Sequence, residues 1–277
     1  MTGKLYIVAT PIGNLEDITL RALRVLRESN LIACEDTRQT RKLLEHFGIA
    51  TPVVSYHEHN EAERAAELAA KLEAGETVAL VSDAGTPLVS DPGYRLVRAA
   101  IDAGIPVIPI PGASAALSAL SASGLPSDAF RFCGFLPAKS SQRRRVLEEA
   151  KAESATLIFY ETPHRILDAL DDIAAVMGPR PVVLARELTK LHEEFLRGTA
   201  AQIRETLAAR PSVKGEFTLL IGKPPSGEAR DVSEVPLAEA VRAAERDGLS
   251  HMEAIKRVAR ERGLGKREVY KRVDGGS

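Results

Sequence analysis

In the first half of the chain, an apolar segment runs three times into a turn rich in proline, glycine and small residues, and then into a helical segment. The longest turn is SDAGTPLVSDPG, residues 82–93, and shorter ones occupy residues 10–15 (TPIGNL) and 111–116 (PGASAA). In open α/β sheets, ligands bind outside the carboxyl ends of the strands. Small residues also let a ligand approach the main chain closely. We therefore expect the three turns to line one crevice.

The alternation of apolar and helical segments predicts an α/β protein. Strands are expected at residues 5–9, 31–34, 53–56, 78–82 and 107–110, with helices between them at about 19–28, 38–47, 60–74 and 93–103. This order indicates a largely parallel sheet with helices on both faces. A second α/β unit is expected after a small-residue helix near 114–123, with strands at 131–134, 156–160, 182–185 and 217–222. In that unit Thr162 is the predicted N-cap of a helix that begins at Pro163.

A Pro- and Ser-containing stretch separates a third, smaller unit. We predict an N-terminal α/β subdomain at residues 1–115, a second at 116–223, a linker at 224–235 and a three-helix, helix-turn-helix-like unit at 236–277. The three helices are expected at about 236–247, 251–262 and 266–273. A capping box at residues 250–253 begins the middle helix and Gly263 ends it. The core of this unit is expected to contain Leu249, Ile255, Val258, Leu264, Val269 and Tyr270.

Motifs and composition narrow the function classes. Neither G-x-G-x-x-G nor G-x-x-x-x-G-K-[ST] occurs, which disfavours the common dinucleotide and P-loop sites. Residues 112–116 (GASAA) lack the final glycine of a nucleophile elbow. Cys34 and Cys133 lie far apart in apolar surroundings and are predicted to be buried free thiols. With no long apolar run and no signal-peptide pattern, a cytoplasmic protein without membrane contact is expected.

Positive charge is concentrated in two places, although the net charge is −1. Residues 256–272 hold eight Lys or Arg against two Glu, and Lys139 is followed by three arginines at 143–145. Two basic clusters on a nearly neutral protein favour a polyanion-binding surface. The alternatives are solvated helix faces and, for the C-terminal unit, a dimerisation or packing role.

Several ordered motifs resemble a known superfamily. They are residues 9–15 (ATPIGNL), 34–38 (CEDTR), 82–93, 111–114 (PGAS), 134–137 (GFLP), 161–165 (ETPHR), 186–190 (RELTK) and 215–217 (GEF). Over residues 1–223 they resemble the tetrapyrrole-methylase-like superfamily, and within it the methyltransferases of small-subunit ribosomal RNA. The resemblance implies two α/β subdomains with S-adenosylmethionine in the cleft between them. It also implies a homodimer that methylates the 2'-oxygen of a cytidine in the decoding region of 16S rRNA.

The resemblance further implies which residues contact the cofactor. In the first subdomain they are Pro11, Gly13, Asp83, Ala84, Gly85, Thr86, Pro87, Val89, Ser114 and Ala115, and in the second they are Tyr160, Ala185 and Phe217. An in-line methyl transfer requires alignment of the acceptor, the methyl group and the sulfur, without a covalent nucleophile. Pro/Gly-rich turns suit this task because they offer main-chain groups and little side-chain bulk.

A ribose 2'-hydroxyl is a poor nucleophile at neutral pH, so a general base or a stabilising cation is expected. The candidate catalytic residues are Glu35, Asp36, Arg38, His57, Glu187 and Lys190, with Asp83 and Arg186 as further candidates. Two alternatives stay open, namely that Asp36 caps a helix and that Asp83 braces its loop. A metal held by His57, His59 and Glu61 is disfavoured because no further cluster has ligand spacing, and no metal site is predicted.

Two other functions stay open. A methyltransferase of a tetrapyrrole or another small molecule would share the fold, but it would not need the two basic clusters. An RNA-binding assembly factor with a vestigial cleft would bind no cofactor. Aromatic residues make up 4% of the chain and Trp is absent, which disfavours extensive stacking on RNA bases. A folded 30S subunit is therefore the expected RNA substrate.

Overall fold

Ten strands form two five-stranded sheets in the part of the chain that the computed structural model describes. That part comprises residues 3–224, 236–246, 248–262 and 264–274, with backbone only at 260, 261 and 274. The chain divides into two units, Met1–Pro224 and Pro225–Ser277. The predicted linker beyond Pro224 and the helix-ending role of Gly263 lie outside the described residues.

The first sheet is entirely parallel and has the strand order β3-β2-β4-β1-β5. Its strands are β1 (Lys4–Val8), β2 (Leu31–Cys34), β3 (Val53–Ser55), β4 (Thr77–Val81) and β5 (Val107–Ile110). The connecting helices are α1 (Leu20–Glu28), α2 (Thr37–His46), α3 (Glu61–Glu73) and α4 (Tyr94–Asp102), and a 3-10 turn (Leu15–Asp17) precedes α1. The parallel sheet that the strand–helix alternation predicts is therefore present.

Each face of the first sheet packs against a different pair of helices. Leu68 of α3 and Leu96 of α4 belong to the core on one face, while Leu26 of α1 and Leu44 of α2 belong to the core on the other. Burial on both faces explains why the central strand β4 is apolar without the alternation of an exposed strand.

The second sheet is mixed and has the strand order β6-β7-β10-β8-β9. Its strands are β6 (Phe130–Phe135), β7 (Thr156–Glu161), β8 (Val182–Arg186), β9 (Glu194–Gly198) and β10 (Phe217–Ile221), and only the β6–β7 pair is parallel. Helices α6 (Ser140–Glu149), α7 (Ile166–Met177) and α8 (Ala200–Ala208) contribute to the core on one face. Helix α5 (Ala115–Ser123) covers the other face, with Ala119 and Leu120 against Val183 and Leu220.

The second unit contains α9 (Leu237–Arg246), α10 (His251–Glu261) and α11 (Lys266–Asp274) in its described part. One of the two bonds of the predicted capping box is present, because the Glu253 carboxylate accepts a hydrogen bond from the backbone N–H of Ser250 (3.1 Å). The Ser250 hydroxyl donates to the same carboxylate instead of accepting from the Glu253 backbone N–H, which bonds to the Ser250 carbonyl. Ile255, Val258 and Val269 are buried in its core, with Leu249 and Leu264 packed against them. The prediction for Tyr270 was wrong, since its side chain is 48% exposed.

Two elements of the second sheet differ from the sequence prediction. Strand β9 was not predicted, because its sequence EFLRG has weak apolar alternation and the strand exists through antiparallel pairing with β8 at the sheet edge. Helix α7 begins at Ile166 rather than at Pro163. Thr162 instead closes a turn, in which its carbonyl accepts hydrogen bonds from the backbone N–H groups of Arg165 and Ile166 (both 3.1 Å).

Candidate active site

The three Pro/Gly-rich turns meet at the carboxyl edge of the first sheet because β4, β1 and β5 are adjacent and parallel. Thr10 and Gly85 exchange two backbone hydrogen bonds, with N···O distances of 2.9 and 3.1 Å. The Thr10 hydroxyl donates to the carbonyl of Ser82 (3.1 Å), and the Thr86 hydroxyl donates to the carbonyl of Ala113 (3.2 Å). The turns therefore form one connected wall.

Loop 82–93 is held in an unusual backbone conformation. Leu88 and Ser90 have φ angles of +71° and +67°, which residues other than glycine rarely adopt. Gly93 has a φ of +146°, and a Cβ atom there would lie 2.9 Å from the Leu88 side chain. Glu61 holds the end of the loop by accepting hydrogen bonds from the backbone N–H groups of Gly93 and of Arg95 in the first turn of α4 (both 3.2 Å). Tertiary contacts thus fix a strained loop, as is common at ligand sites.

The Glu61 carboxylate also accepts a hydrogen bond from the Tyr56 hydroxyl (3.1 Å), so it is engaged away from the two histidines. His57 lies edge-on to His59, with 5.9 Å between the ring centroids, and its Nε2 lies 3.3 Å from the Asn60 amide nitrogen. In residues 3–224 and the described parts of the second unit, no group of three or more His, Cys, Asp or Glu side chains is arranged to hold a metal ion.

A pocket of about 390 Å³ lies between this wall and the second sheet. Residues of the three turns line one side, and residues of β7, β10 and their neighbouring loops line the other. The lining consists of Ile12, Ala84, Gly85, Thr86, Val89, Ser90, Asp91, Ser114, Ala115, Phe135, Tyr160, Glu161, Thr162, Pro163, Leu188, Glu216, Phe217 and Thr218. It therefore combines apolar side chains with three carboxylates, and none of these lining residues is a Lys, Arg or His.

Most of the predicted cofactor residues line this pocket. They are Ala84, Gly85, Thr86, Val89, Ser114, Ala115, Tyr160 and Phe217. The other five do not line it: Pro11 and Pro87 are buried, Ala185 is fully buried in the core beneath α5, and Gly13 and Asp83 lie on exposed parts of the turns. Gly13 permits a close approach, because a Cβ atom there would lie 2.4 Å from Cγ of Lys190.

The catalytic candidates of the first subdomain lie together at the ends of β2 and β3, outside the pocket lining. Asp36 is the N-cap of α2, and its carboxylate accepts hydrogen bonds from the backbone and side chain of Arg38. The bonds from Arg38 lower the pKa of Asp36 to about 2. Burial, together with Asp83 and Glu58, raises the pKa of Glu35. The capping alternative for Asp36 is thus the one present.

Asp83 performs the bracing role that the sequence left open. Its carboxylate accepts a hydrogen bond from the backbone N–H of Asp36 (3.0 Å) and so ties the end of β2 to the loop after β4. This bond places the first turn of α2 directly beside Ala84 of the pocket lining.

Glu187 and Lys190 form an ion-pair network in the second subdomain. The Glu187 carboxylate accepts hydrogen bonds from the Glu216 backbone N–H (2.9 Å) and from Lys190 Nζ (3.0 Å). Lys190 also pairs with the Glu216 carboxylate (2.9 Å). The backbone bond from Glu216 and the nearby cation lower the pKa of Glu187. Arg186 donates to the carbonyl of Lys214 (2.6 Å), so residues 186–190 are joined to residues 214–216 by a further bond.

Asp91 is a pocket residue that the sequence interpretation missed, although it lies in the loop that the interpretation placed first. Burial, with contributions from Glu35 and Asp83, raises the pKa of Asp91 to about 6. The signal in the sequence was its place three residues before α4, in a loop that follows the carboxyl end of a parallel strand, where ligands bind. Phe135, Glu161, Leu188 and Thr218 also line the pocket without having been assigned.

The predicted basic cluster at residues 139–145 is only partly available to a polyanion. Arg143 is buried and pairs with Asp172 (2.7 Å), exposed Arg144 pairs with the same carboxylate (2.6 Å), and exposed Arg145 pairs with Glu149 (3.4 Å). Arg143 therefore has a structural role, whereas Lys139, Arg144 and Arg145 remain on the surface. Cys34 is buried as predicted, whereas Cys133 is only partly buried, and both are free thiols.

The fold is that of a methyltransferase family. A family model described as Tetrapyrrole (Corrin/Porphyrin) Methylases matches residues 4–204, and the chain belongs to this family. A structure of uroporphyrin-III C-methyltransferase from Thermus thermophilus, in complex with S-adenyl homocysteine, shares the fold at 20% identity with a TM-score of 0.53, covering 79% of this chain and 97% of that one.

Two curated relatives lie much closer in sequence. Ribosomal RNA small subunit methyltransferase I of Halalkalibacterium halodurans is 54% identical over 274 residues, which cover 97% of this chain and 93% of that protein. The protein of the same name from Escherichia coli O157:H7 is 56% identical over 224 residues, covering 79% of this chain and 77% of that protein. Within the tetrapyrrole methylases, this chain therefore groups with the proteins of that name. No described helix has the length and apolar character that a membrane span requires.

Proposed function

We propose that this protein transfers the methyl group of S-adenosylmethionine to the 2'-oxygen of a cytidine in the decoding region of 16S rRNA. The observation that carries the proposal is the pocket at the joined turns, in a chain 54% identical to a protein named ribosomal RNA small subunit methyltransferase I. The relative supplies the substrate class, and the pocket supplies a place for the donor.

The pocket residues fit S-adenosylmethionine. A volume of about 390 Å³ falls in the range of small-molecule sites. Tyr160, Leu188 and Phe217 offer an apolar wall for an adenine ring, and the turns offer main-chain groups. The cofactor carries a sulfonium and an ammonium. No Lys, Arg or His is among the lining residues to repel these charges, and of the three lining carboxylates Glu161 and Glu216 already pair with Arg165 and Lys190. A phosphate-bearing cofactor would instead need cations or a glycine-rich helix N-terminus.

When bound, the sulfonium cofactor supplies an electrophilic methyl group. The protein's own task is then to hold the acceptor oxygen in line with that group and to exclude water, which can lower the barrier by about 7–11 kcal/mol. The joined turns suit this task because paired backbone groups at Thr10 and Gly85 and strained residues in loop 82–93 leave the wall little freedom. The Glu161 carboxylate, which also lines the pocket, is held by an ion pair with Arg165 (N···O distance 3.0 Å).

Helix α2 supports an RNA substrate. It carries the exposed Arg41 and Lys42, and it also carries Arg38, whose side chain is 84% exposed although it pairs with Asp36 (2.7 Å). Its first turn is tied to the pocket loop through the bond between Asp36 and Asp83. Exposed cations beside a reaction site are suited to phosphate contacts, which position a nucleic acid without reading its sequence.

The second unit supplies another basic surface of the proposed complex. Lys266, Arg267 and Lys271 of α11 are exposed. We propose that this helix-turn-helix-like unit contacts ribosomal RNA in the cytoplasm, that the natural substrate is the 30S subunit, and that the enzyme acts as a homodimer. The low aromatic content supports a substrate recognised by its folded shape rather than by extensive base stacking.

The test is incubation of the purified protein with methyl-labelled S-adenosylmethionine and 30S subunits that lack the modification, followed by nucleoside analysis of the 16S rRNA. Label in 2'-O-methylcytidine is the expected result. Saturable cofactor binding without label in RNA would redirect the function to a tetrapyrrole or another small acceptor. Absence of cofactor binding in isothermal titration would make the protein a non-enzymatic RNA-binding factor.

A further inference from the structure

Three carboxylates line the pocket, and two of them are neutralised by cations. Glu161, whose side chain is fully buried, pairs with Arg165 and accepts a hydrogen bond from the Thr162 backbone N–H (2.9 Å). Glu216 pairs with Lys190 (2.9 Å) and is largely exposed. Both carboxylates are therefore committed to holding the pocket wall.

Asp91 is the third carboxylate, and its surroundings are different. The ionisable groups that face it are Glu35 from the end of β2, Asp83 from its own loop and the phenol of Tyr160 from β7. The Ser82 hydroxyl lies within hydrogen-bonding reach. Among the described residues that act on Asp91, none is a cation.

The backbone on both sides of Asp91 is fixed. Ser90 has a φ of +67°, and Pro92 has its own φ locked by its ring and disfavours the helical region for Asp91, the residue before it. The Ser90 hydroxyl lies 3.6 Å from the position that a Cβ atom of Gly134 would occupy, so the loop packs against the irregular pairing of β6. A carboxylate on so constrained a segment has a defined position in the pocket.

We propose that the Asp91 carboxylate is the general base that accepts the proton of the acceptor hydroxyl during methyl transfer. The inference rests on the proposed function. In the step, the ribose 2'-oxygen forms a bond to the methyl carbon as the bond from that carbon to sulfur breaks. The electron pair of the broken bond stays on sulfur, which becomes a neutral thioether. The hydroxyl proton moves to a carboxylate oxygen of Asp91, so charge and atoms balance.

The environment of Asp91 suits this role. Burial first, and then the negative charges of Glu35 and Asp83, raise its pKa to about 6. A base with a pKa slightly below the working pH is ionised and still binds a proton well, which is the optimum for general-base catalysis. Glu187 has the opposite property, because its bonds to the Glu216 backbone and Lys190 lower its pKa.

The test is the pH dependence of single-turnover methylation of 30S subunits by the wild type and by Asp91→Asn, with the cofactor saturating. For the wild type, the rate is expected to rise about tenfold per pH unit at low pH and to level off above about pH 6. Asp91→Asn is expected to lose this rise and to react about 10²- to 10⁴-fold more slowly. Its dissociation constant for S-adenosylmethionine, measured by titration, is expected to change by less than about tenfold.

Glu35→Gln is the matched variant, because it removes a negative charge that faces Asp91 without changing Asp91 itself. The pKa of Asp91 falls when a like charge is removed, so the rising limb is expected to move to lower pH. If the rate of Glu35→Gln no longer rose with pH, Glu35 would be the base and the proposal would be overturned. A rise of rate over the same pH range as in the wild type would also count against the proposal.

The remaining outcomes separate this inference from the proposed function. If the rate of Asp91→Asn still rose with pH as in the wild type, the role of Asp91 as base would be overturned, but the proposed function would stand. A large loss of cofactor affinity in that variant would also overturn this role, because it would make Asp91 a cofactor contact. No label in RNA from the wild type would overturn the proposed function and, with it, the base.

Discussion

The pair formed by Arg143 of α6 and Asp172 of α7 is a buried ion pair, and its loss is expected to destabilise the first unit strongly. Their side chains are 3% and 4% exposed, and the shortest N···O distance is 2.7 Å. The Asp172 carboxylate also accepts hydrogen bonds from Ser140 (2.9 and 3.0 Å) and pairs with Arg144, whose side chain is 54% exposed. The Asp172 carboxylate is therefore paired with a buried arginine, Arg143, and with a neighbouring exposed arginine, Arg144.

The expected magnitudes follow from this difference in burial. Removing one partner of a buried pair costs about 3–5 kcal/mol, because the other charge is left buried. In Arg143→Met the carboxylate keeps Ser140 and Arg144, so we expect the lower end, ~3 kcal/mol. In Arg144→Met an exposed pair is lost, and we expect less than ~1 kcal/mol. At about 2–4 °C per kcal/mol for a domain of this size, the melting temperature should fall by ~6–12 °C in the first variant and by less than ~4 °C in the second.

The assay is urea and thermal unfolding followed by far-UV circular dichroism, which suits a chain without Trp. Both variants lose one positive charge from the same helix and gain the same side chain, so they are matched in net charge and composition. Equal destabilisation by the two variants would refute the reasoning, because it would show that burial of the pair does not set its contribution.

Three further predictions follow from the same structure. Asp91→Asn should raise the melting temperature at pH 7–8, because the buried carboxylate of the wild type is ionised there at a cost in stability. The difference from the wild type, measured by differential scanning fluorimetry, should decrease as the pH falls through about 6 and vanish below about 4. A gain that persists at low pH would contradict this. Ala115→Leu should weaken S-adenosylmethionine binding by at least about tenfold in isothermal titration, because it fills the pocket, whereas Ala122→Leu on the exposed side of the same helix should not. Arg41→Glu should raise the KM for 30S subunits and reduce the slope of log affinity against log salt by about 1 if Arg41 contacts one phosphate; an unchanged slope would remove α2 from the RNA surface.

Much of the first sheet could be predicted because its strands are buried on both faces. Such strands are continuous apolar runs, and the Pro/Gly turns after them are local signals. The predicted strands at 31–34 and 107–110 match β2 and β5. The second sheet was harder, since β9 lies at an edge and its sequence is half polar. Its existence depends on pairing with β8, which no local pattern records.

The candidate site shows the same division. Eight predicted cofactor residues line the pocket, because ligand sites at strand ends follow from the order of strands and turns. The raised pKa of Asp91 could not be predicted, since it depends first on burial and then on Glu35, which follows a different strand, β2. The buried role of Arg143 could not be predicted for a related reason: the carboxylate that pairs with Arg143 and Arg144 lies on a different helix, α7.

The elements that could be predicted have local signals: the apolar strands, the turns that end them and the three helices of the second unit. Which charges are paired and which face the pocket depends on the packing of distant segments. Hydrophobic periodicity and turn chemistry act over a few residues, whereas Coulomb interaction and desolvation depend on distances between groups that are remote in the chain. Eight residues named from the family resemblance line the pocket, and the fold places on its wall the Asp91 carboxylate, which has no cation acting on it among the described residues.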